Sequence, residues 1–355
     1  MNARLERQLR YLGAIIVAGA VASVAVNLAQ GRYTAPQLIA ALAYTFVTAV
    51  VIGSVELFIL QDLEWLRRLP FVALVAVRST IYAVFIIAIQ LLQVGERAAG
   101  LELQTSIEDF WRSIAYSAVI SVILNFGFSI ANLIGPRVFL NFVSGRYHSP
   151  VEENRFVLFV DIAGSTGLAE QLGGIGIHRF LDRTFRLLTE SVVDYRGEVL
   201  NYIGDEIIVT WPEQSGAIDS RPLRCFVAMR RALQKAVPEF EREFGAAPQI
   251  RGSLHFGPVI VGEIGDVKPA IVFNGDVMNT AARLEELSRT VDGGFLASRT
   301  AMERFSSVLP FAIRDLGRLP IRGRADGIDV VGIDDRNGTR ESVVAKQKVY
   351  DQGGG

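Results

Sequence analysis

Apolar residues are concentrated in the first third of the chain, where they form four long runs. Each run is near or above the ~20 residues that a helix needs to cross ~30 Å of hydrocarbon. Polar residues do not recur along the runs every three or four positions, as they do in the amphipathic helices of soluble bundles. The pattern therefore predicts four transmembrane helices in a lipid bilayer, at about 11–29, 35–60, 71–94 and 114–134.

Arginines flanking these runs predict the orientation of the four helices, because cytoplasmic loops carry an excess of Lys and Arg. Seven lie on the side of the two termini: Arg4, Arg7, Arg10, Arg67, Arg68, Arg137 and Arg146. Three lie on the other side: Arg32, Arg97 and Arg112. We therefore expect a multi-pass protein of the cell (inner) membrane, with both termini and everything after the fourth run in the cytoplasm.

Two ionisable residues lie inside the predicted spans, Glu56 in the second and Arg78 in the third. In the predicted orientation both are within about two turns of the cytoplasmic side, so they could form an ion pair. The sequence leaves two interpretations open, a functional intramembrane group and a simple contact between helices.

The pattern changes after residue 135, where short apolar runs alternate with helical patterns. Strands are predicted near 156–161, 198–203, 207–211, 250–256, 258–263, 311–316 and 328–333, and helices near 177–193, 221–236 and 275–287. This order indicates an α+β fold in which helices pack on a mixed or antiparallel sheet. We expect a four-helix transmembrane domain at 1–135, a linker at 136–152, an α+β domain at 153–335 and a disordered tail at 336–355.

Charge and composition narrow the functional classes. Residues 1–135 contain nine Arg, no Lys and eight Asp or Glu, whereas the remainder contains 27 Lys or Arg and 29 Asp or Glu. A net charge of −1 without a basic run gives no reason to expect nucleic acid as a partner. The single cysteine excludes an internal disulfide, and the scatter of the three histidines argues against a His-rich zinc site.

Two aspartates lie at the ends of predicted strands. Asp161 ends the first strand, and Asp205 lies at the tip of a predicted hairpin. Carboxylates brought together at neighbouring strand ends repel each other unless a cation neutralises them. Mg²⁺ or Mn²⁺ suits oxygen ligands, and Mg²⁺ needs only one or two carboxylates besides substrate phosphates. The pair indicates a divalent metal site, although either aspartate alone is more typical of a turn or cap.

Other residues suit a phosphorylated ligand. The small residues 163–167 lead into a helix, and backbone amides at the start of a helix bind phosphate. Asn279 and Arg283 are four residues apart and share one helix face, where an arginine beside an amide can hold a phosphoryl group or a sugar. Arg322 and Arg324 form a second possible phosphate clamp. The Asn279/Arg283 pair and the Arg322/Arg324 pair are each also typical of solvated side chains.

Three motifs occur in a fixed order in the second part of the chain. They are Phe159-Val-Asp-Ile-Ala-Gly-Ser-Thr166, Tyr202-Ile-Gly-Asp-Glu206 and Asn274-Gly-Asp-Val-Met-Asn-Thr-Ala-Ala-Arg-Leu-Glu285. In sequence, order and spacing, across 153–333, they resemble the class III adenylate/guanylate cyclase family, in its membrane-anchored bacterial type. The resemblance implies a ferredoxin-like α/β sandwich as the catalytic domain, working as a head-to-tail homodimer. Each site would take its aspartates from one chain and its Asn/Arg pair from the other.

The same resemblance implies a role for each residue. Two Mg²⁺ or Mn²⁺ ions would be held by Asp161, Asp205 and Ile162, and the substrate by Ile162, Gly164, Ser165, Thr166, Asn201 and Arg324. Asn279 would orient the ribose, and Arg283 would stabilise charge developing on the α-phosphate. The implied reaction is attack of the ribose 3′-oxygen of ATP on its α-phosphate, giving 3′,5′-cyclic AMP and pyrophosphate.

The positions that recognise the base depart from the family pattern. Many adenylate cyclases have a Lys four residues before the second aspartate and an Asp or Thr seven before the ribose Asn, where this chain has Asn201 and Val272. Asn201 can donate and accept, so it suits adenine or guanine, whereas Val272 can do neither. The glutamate usual in guanylate-specific sites is absent at Asn201, which favours ATP modestly.

Three alternatives remain beside an adenylate cyclase. A guanylate cyclase would have the same fold, and a non-catalytic membrane receptor would use a cyclase-like domain only to bind nucleotide or to dimerise. Residues 203–207 also resemble the core motif of diguanylate cyclases, but its first Gly and its Phe are missing and the helix with Asn279 and Arg283 would stay unexplained. A P-loop enzyme is excluded because no Gly-Lys-Ser/Thr run occurs.

Overall fold

The computed structural model describes residues 3–29, 34–60, 63–67, 69–98, 107–134, 145–147, 149–267, 270–291, 293–306, 312–321 and 327–334. The chain divides into two compact units, Met1–Arg146 and Tyr147–Gly355. Most of the predicted linker (136–144 and 148) and the whole predicted tail at 336–355 lie outside the described residues.

The first unit contains four helices that are long and apolar enough to cross a membrane, as the sequence predicts. Large apolar side chains such as Val72 and Ile123 are exposed on them, which suits contact with lipid rather than water. The helices of this unit are α1 (Ala3–Ala29), α2 (Ala35–Phe58), the short α3 (Glu64–Arg67), α4 (Phe71–Ala98) and α5 (Ile107–Ile134).

A buried polar group joins α2 to α4. Arg78 Nη1 lies 3.1 Å from Glu56 Oε1, and the Tyr82 hydroxyl donates to Glu56 Oε2 at 2.6 Å. All three side chains are buried. The ion pair that the sequence left possible is therefore present, with a tyrosine as an additional donor.

The second unit is an α+β domain built on one mixed sheet. Its strands are β1 (Val151–Ile162), β2 (Glu198–Ile203), β3 (Glu206–Pro212), β4 (Ile250–Ile264), β5 (Ala270–Asn274), β6 (Phe295–Ser298), β7 (Ala312–Leu319) and β8 (Ile328–Asp334). Its helices are α6 (Ser165–Asp194), α7 (Glu213–Gly216), α8 (Arg221–Phe244), α9 (Asp276–Ser288) and α10 (Arg299–Met302).

The strand order is β2-β3-β1-β4-β6-β8-β7, with β5 paired to β4. The β4–β6 pair is parallel and the other pairs are antiparallel. The predicted strands at 250–256 and 258–263 form one strand, β4, and β5 and β6 were not predicted. Pro258 does not interrupt β4, because among the described strands only β1 pairs with it there, and proline is tolerated where one side of a strand has no ladder partner.

The central strand β1 is buried on both faces. Phe156, Leu158 and Val160 belong to the core that the sheet shares with α6 and α8. Val157 and Phe159 belong to a second core on the opposite face, shared with α9. A continuous apolar run is the sequence signature of such a strand, since successive side chains point to opposite faces.

Candidate active site

The end of β1 and the tip of the β2–β3 hairpin meet at one edge of the sheet. Because β1 pairs with β3, Asp161 lies opposite Glu206, the residue that follows Asp205. The backbone N–H of Ile162 donates to the carbonyl of Asp205 at 3.2 Å. The structure therefore brings the two predicted aspartates together, within the hydrogen-bonded frame of the sheet.

The alternation of side chains along β1 decides which way Asp161 points. Val157 and Phe159 pack against α9, and Asp161 continues this series of alternate residues. The carboxylate is therefore carried towards α9 rather than towards α6 and α8. It is 4% exposed, so it has lost most of its contact with water.

The stripe of α9 that faces the sheet ends in a carboxylate. Val277 and Ala281 pack against the sheet, and Glu285 follows four residues later on the same stripe, close to Asp161. The backbones approach closely here, since a Cβ on Gly257 would lie 2.5 Å from Val277 Cγ2. Glu285 is 2% exposed, and its Oε1 has no hydrogen-bond partner among the described residues.

Four carboxylates consequently share this edge of the sheet: Asp161, Asp205, Glu206 and Glu285. Burial raises the pKa of Asp161 to about 7, helped by the charges of Glu285 and Asp205 and by a hydrogen bond with Asp205. Burial and the charges of Glu285, Asp161 and Asp205 raise the pKa of Glu206 to about 7. Both shifts have one physical cause, which is negative charge in a poorly hydrated place with too little positive charge beside it.

Two arginines offset part of that charge. Arg251 Nη2 lies 3.5 Å from Asp161 Oδ2, and Arg289 Nη2 lies 3.7 Å from the same oxygen. Arg289 Nη2 is also 3.3 Å from Glu285 Oε2, one helical turn before it. The charge of Arg289 lowers the pKa of both Asp161 and Glu206, although less than burial and the acidic neighbours raise them.

The predicted phosphate loop forms the start of α6. Gly164 is the N-cap residue, and Ser165 and Thr166 are the first two residues of the helix. The Ser165 hydroxyl donates to Asp205 Oδ2, which ties the helix start to the hairpin. The first amides of a helix have no partner within it, and they carry the positive end of the helix dipole. This helix start therefore offers anion-binding amides directly beside the carboxylates.

The structure does not bring Asn279 and Arg283 to the carboxylates of the same chain. On α9 each of them follows a sheet-facing residue, Val277 or Ala281, by two positions. Two positions correspond to a rotation of about 200° in a helix of 3.6 residues per turn, so the pair lies on the opposite face from Glu285. Asn279 is exposed and Arg283 is partly exposed. Among the described residues, the ion pairs of Asp161 are with other arginines, and none involves Arg283.

The remaining predicted contacts lie elsewhere. Asn201 is exposed on β2, where its Oδ1 accepts from the backbone N–H of Tyr202 at 2.9 Å. Val272 is partly buried on β5. Arg322 and Arg324 are outside the described residues, so their predicted contact with phosphate stays a prediction.

Sequence reasoning missed four residues of the site: Arg251, Glu206, Glu285 and Arg289. Glu285 and Arg289 did carry a signal, because an acid and a base four residues apart share a helix face. The missing information was that this face meets Asp161. Arg251 lies opposite Asp161 in the β1–β4 ladder, and no local pattern gives that register.

The carboxylate oxygens at this edge of the sheet suit a divalent cation, but they are too few to surround one. Asp161 and Asp205 supply adjacent carboxylate oxygens whose repulsion a cation would relieve, and hard cations prefer oxygen ligands. No group of three or more His, Cys, Asp or Glu side chains in the described part of the chain is arranged to enclose a metal ion. Two carboxylates match the sparse protein ligation of Mg²⁺ when phosphates complete the shell.

Comparison with known proteins identifies the family. Residues 148–331 match the model of the adenylate and guanylate cyclase catalytic domain, just over half of the 355 residues. The chain therefore belongs to the adenylate and guanylate cyclase family. The expected fold class, four apolar helices followed by an α+β cyclase domain, is confirmed.

Individual relatives agree with this assignment. Adenylate cyclase 2 of Rhizobium meliloti (strain 1021) is 32% identical over 220 residues, which are 62% of this chain and 61% of that protein. Adenylate cyclase of Anabaena cylindrica is 26% identical over 182 residues, 49% of this chain and 35% of that protein. This chain thus covers less than two thirds of either relative. A bacterial light-regulated adenylyl cyclase of known structure has the same fold, with a TM-score of 0.54 at 19% identity over 66% of this chain and 68% of that one.

Proposed function

We propose that the protein is a membrane-bound adenylate cyclase that converts ATP to 3′,5′-cyclic AMP and pyrophosphate. The catalytic domain would face the cytoplasm, where ATP is available, and the four apolar helices would lie in the cell (inner) membrane. The arginine distribution supports this orientation. The relatives named adenylate cyclase support the choice of reaction.

One observation carries the proposal, namely the division of α9 into two faces. One face holds Glu285 against the carboxylates of its own chain, and the other holds Asn279 and Arg283 away from them. A site that uses both sets of residues must therefore be completed by a second copy of the chain. We infer a homodimer in which each chain lends its Asn/Arg pair to its partner's carboxylates.

The residues of this chain have separate tasks in that site. Asp161, Asp205 and the backbone carbonyl of Ile162 would hold Mg²⁺ or Mn²⁺, two ions per site. When bound, these ions would make the ribose 3′-oxygen more acidic and neutralise the phosphates. The helix start at Gly164, Ser165 and Thr166 would bind phosphate oxygens through backbone amides.

The Asn/Arg pair from the second chain would act on the nucleotide itself. Asn279 would hydrogen-bond the ribose and so fix the direction of its 3′-oxygen. Arg283 would donate to the α-phosphate oxygens, where negative charge grows during the attack. The reaction is intramolecular, so positioning and charge stabilisation supply most of the rate. Arg324 would contact the triphosphate.

The two positions that would contact the purine base, Asn201 and Val272, distinguish adenine from guanine only weakly. Asn201, exposed on β2, can donate to or accept from either purine. Val272 offers no hydrogen bond, and strong discrimination requires groups left unpaired by the wrong nucleotide. We therefore expect ATP to be preferred with weak selectivity.

The first experiment compares ATP and GTP as substrates of the purified full-length protein, with Mn²⁺ in detergent, and identifies the cyclic products by chromatography. Cyclic AMP as the main product supports the proposal, and cyclic GMP as the main product would make the protein a guanylate cyclase. If neither cyclic nucleotide forms, the protein would instead be a non-catalytic receptor that binds nucleotide. Arg283→Ala should slow cyclisation about 100-fold, as loss of one charge-stabilising donor does.

The second experiment tests the shared site by mixing two inactive variants, Asp161→Ala and Arg283→Ala. A mixed dimer would contain one complete site, so random pairing should restore about a quarter of the wild-type activity. The matched control mixes Asp161→Ala with Asp205→Ala, two changes that damage the same half of every site. Rescue in both mixtures, or in neither, would contradict the proposed sharing.

A further inference from the structure

Arg289 occupies a distinctive place at the edge of the carboxylate cluster. It is the C-cap residue of α9, and its guanidinium lies between Glu285 Oε2, at 3.3 Å, and Asp161 Oδ2, at 3.7 Å. The arginine is thus a monovalent cation beside a carboxylate that is proposed to hold a divalent one.

The contact with Glu285 explains why Arg289 stays there. Glu285 is buried on the stripe of α9 that packs against the sheet, so its position is fixed by the helix. An arginine four residues after a glutamate lies on the same face and within reach of it. Glu285 therefore anchors Arg289 Nη2, the same nitrogen that lies nearest to Asp161 Oδ2.

The two arginines at Asp161 differ in their freedom to move. Arg251 projects from β4 opposite Asp161, and its side chain is 26% exposed with a buried Nε. The Arg289 side chain is 50% exposed and sits at the end of a helix. Arg289 can therefore swing into solvent without disturbing the sheet, whereas Arg251 is confined by it.

A divalent cation and Arg289 would compete for the same oxygen. Two cations close to one carboxylate repel each other, and in a partly buried place this repulsion is screened less than in bulk water. Binding of the metal ion would thus require Arg289 to withdraw from Asp161 or to tolerate the ion beside it. In either case the arginine lowers the affinity of the site for the metal.

We propose that Arg289, anchored by Glu285, is a resident counterion of Asp161 that divalent metal must displace, and that it thereby sets the metal affinity of the site. The inference rests on the proposed metal site and goes beyond it, because it assigns a positioning role to a residue outside the ligand set. In the metal-free protein Arg289 keeps the Asp161 carboxylate in place at reduced electrostatic cost.

The test measures binding of Mn²⁺ alone to the full-length protein in detergent, without nucleotide, by the EPR signal of the free ion. Arg289→Met removes the competing charge, and we expect the Kd for Mn²⁺ to fall about tenfold. Arg289→Gln should behave in the same way, and Arg289→Lys, which keeps the charge, should stay within about twofold of the wild type.

The matched control is Arg186→Met. Arg186 is also a half-exposed helical arginine in an ion pair with an acid four residues away, Asp182, but it lies outside the carboxylate cluster. Its Kd for Mn²⁺ should be unchanged. A residue with only a structural role would weaken the site when removed, so tighter binding by Arg289→Met distinguishes the two roles.

The outcomes separate this inference from the proposed function. A wild-type protein that binds Mn²⁺, with Arg289→Met unchanged or weaker, would overturn the role of Arg289 alone. A wild-type protein that binds no Mn²⁺, or binds it equally after Asp161→Asn, would overturn the metal site and this inference together. Cyclic nucleotide formation, measured separately, decides the reaction.

Discussion

The protein contains two buried groups of charged side chains, one in each unit, and they differ in balance. In the first unit Glu56 faces one arginine, Arg78, and accepts a hydrogen bond from Tyr82. In the second unit four carboxylates share one edge of the sheet with two arginines. The first group is neutral overall, whereas the second keeps an excess of negative charge.

The difference indicates what each group is for. The charges of Glu56 and Arg78 cancel without an ion from outside, although Glu56 Oε1 and Arg78 Nε have no hydrogen-bond partner among the described residues. The main consequence of this ion pair is therefore to hold α2 and α4 in one arrangement. A buried acidic excess raises the cost of folding unless a cation joins it, and a protein keeps such a group where the cation has a use. A buried group without net charge thus indicates a structural contact, whereas a buried group with excess negative charge indicates a cation-binding site.

The largest predicted effect is on catalytic activity and concerns the acidic group of the second unit. Asp161→Asn removes one charge from the acidic excess while keeping the size and polarity of the side chain. We expect cyclic AMP formation to fall by ~10³-fold or more, because the proposed metal site would lose one of its two carboxylates. The thermal unfolding temperature should not fall, since one source of repulsion is removed. A variant that loses stability together with activity would place Asp161 among the structural charges.

The next largest predicted effect is on the stability of the first unit. Arg78→Met leaves Glu56 buried without its counterion, and we expect a loss on the order of 3 kcal/mol in unfolding free energy. Thermal unfolding in detergent, followed by circular dichroism, measures it. Thr80→Val, an exposed change on the same helix, is the control.

A double variant tests whether the pair itself is responsible. Glu56→Gln combined with Arg78→Met removes both charges, so the protein should be no less stable than with either single change. Losses that simply add would show that the two side chains act independently and would remove the contrast between the two groups.

The smallest predicted effect is a gain in stability of the second unit. Glu206→Gln removes a partly buried carboxylate whose pKa is raised by burial and by its acidic neighbours. At pH 8 with a chelator present, we expect the second unit to gain about 1 kcal/mol of stability, because less repulsion remains in the folded state. Glu190→Gln, on the exposed surface of α6, should change nothing. A loss of stability for Glu206→Gln would mean that the cluster is already balanced.

Several parts of the molecule could be predicted because they depend on neighbouring residues. Long apolar runs gave the four helices of the first unit, and a continuous apolar run ending in Asp161 gave the buried strand β1. The turn around Gly204 and Asp205 gave the hairpin, because turn residues between two apolar runs specify it locally. The spacing of Asn279 and Arg283 placed them on one face of a helix in the same way.

Other parts depended on partners far away in the sequence. The strands β5 and β6 are five and four residues long, too short for a clear period, and each is defined by pairing with β4. The extension of β4 through Pro258 likewise depends on its long ladder with β1.

The sequence by itself determined the family of the chain and the positions of its apolar helices, and it predicted residues for a nucleotide site. Only the tertiary structure decided which stripe of α9 meets the sheet, and hence that Glu285 and Arg289 lie beside Asp161 while Asn279 and Arg283 face away. The physical reason is that side-chain periodicity fixes which residues of one element share a face, whereas packing between elements fixes which faces meet.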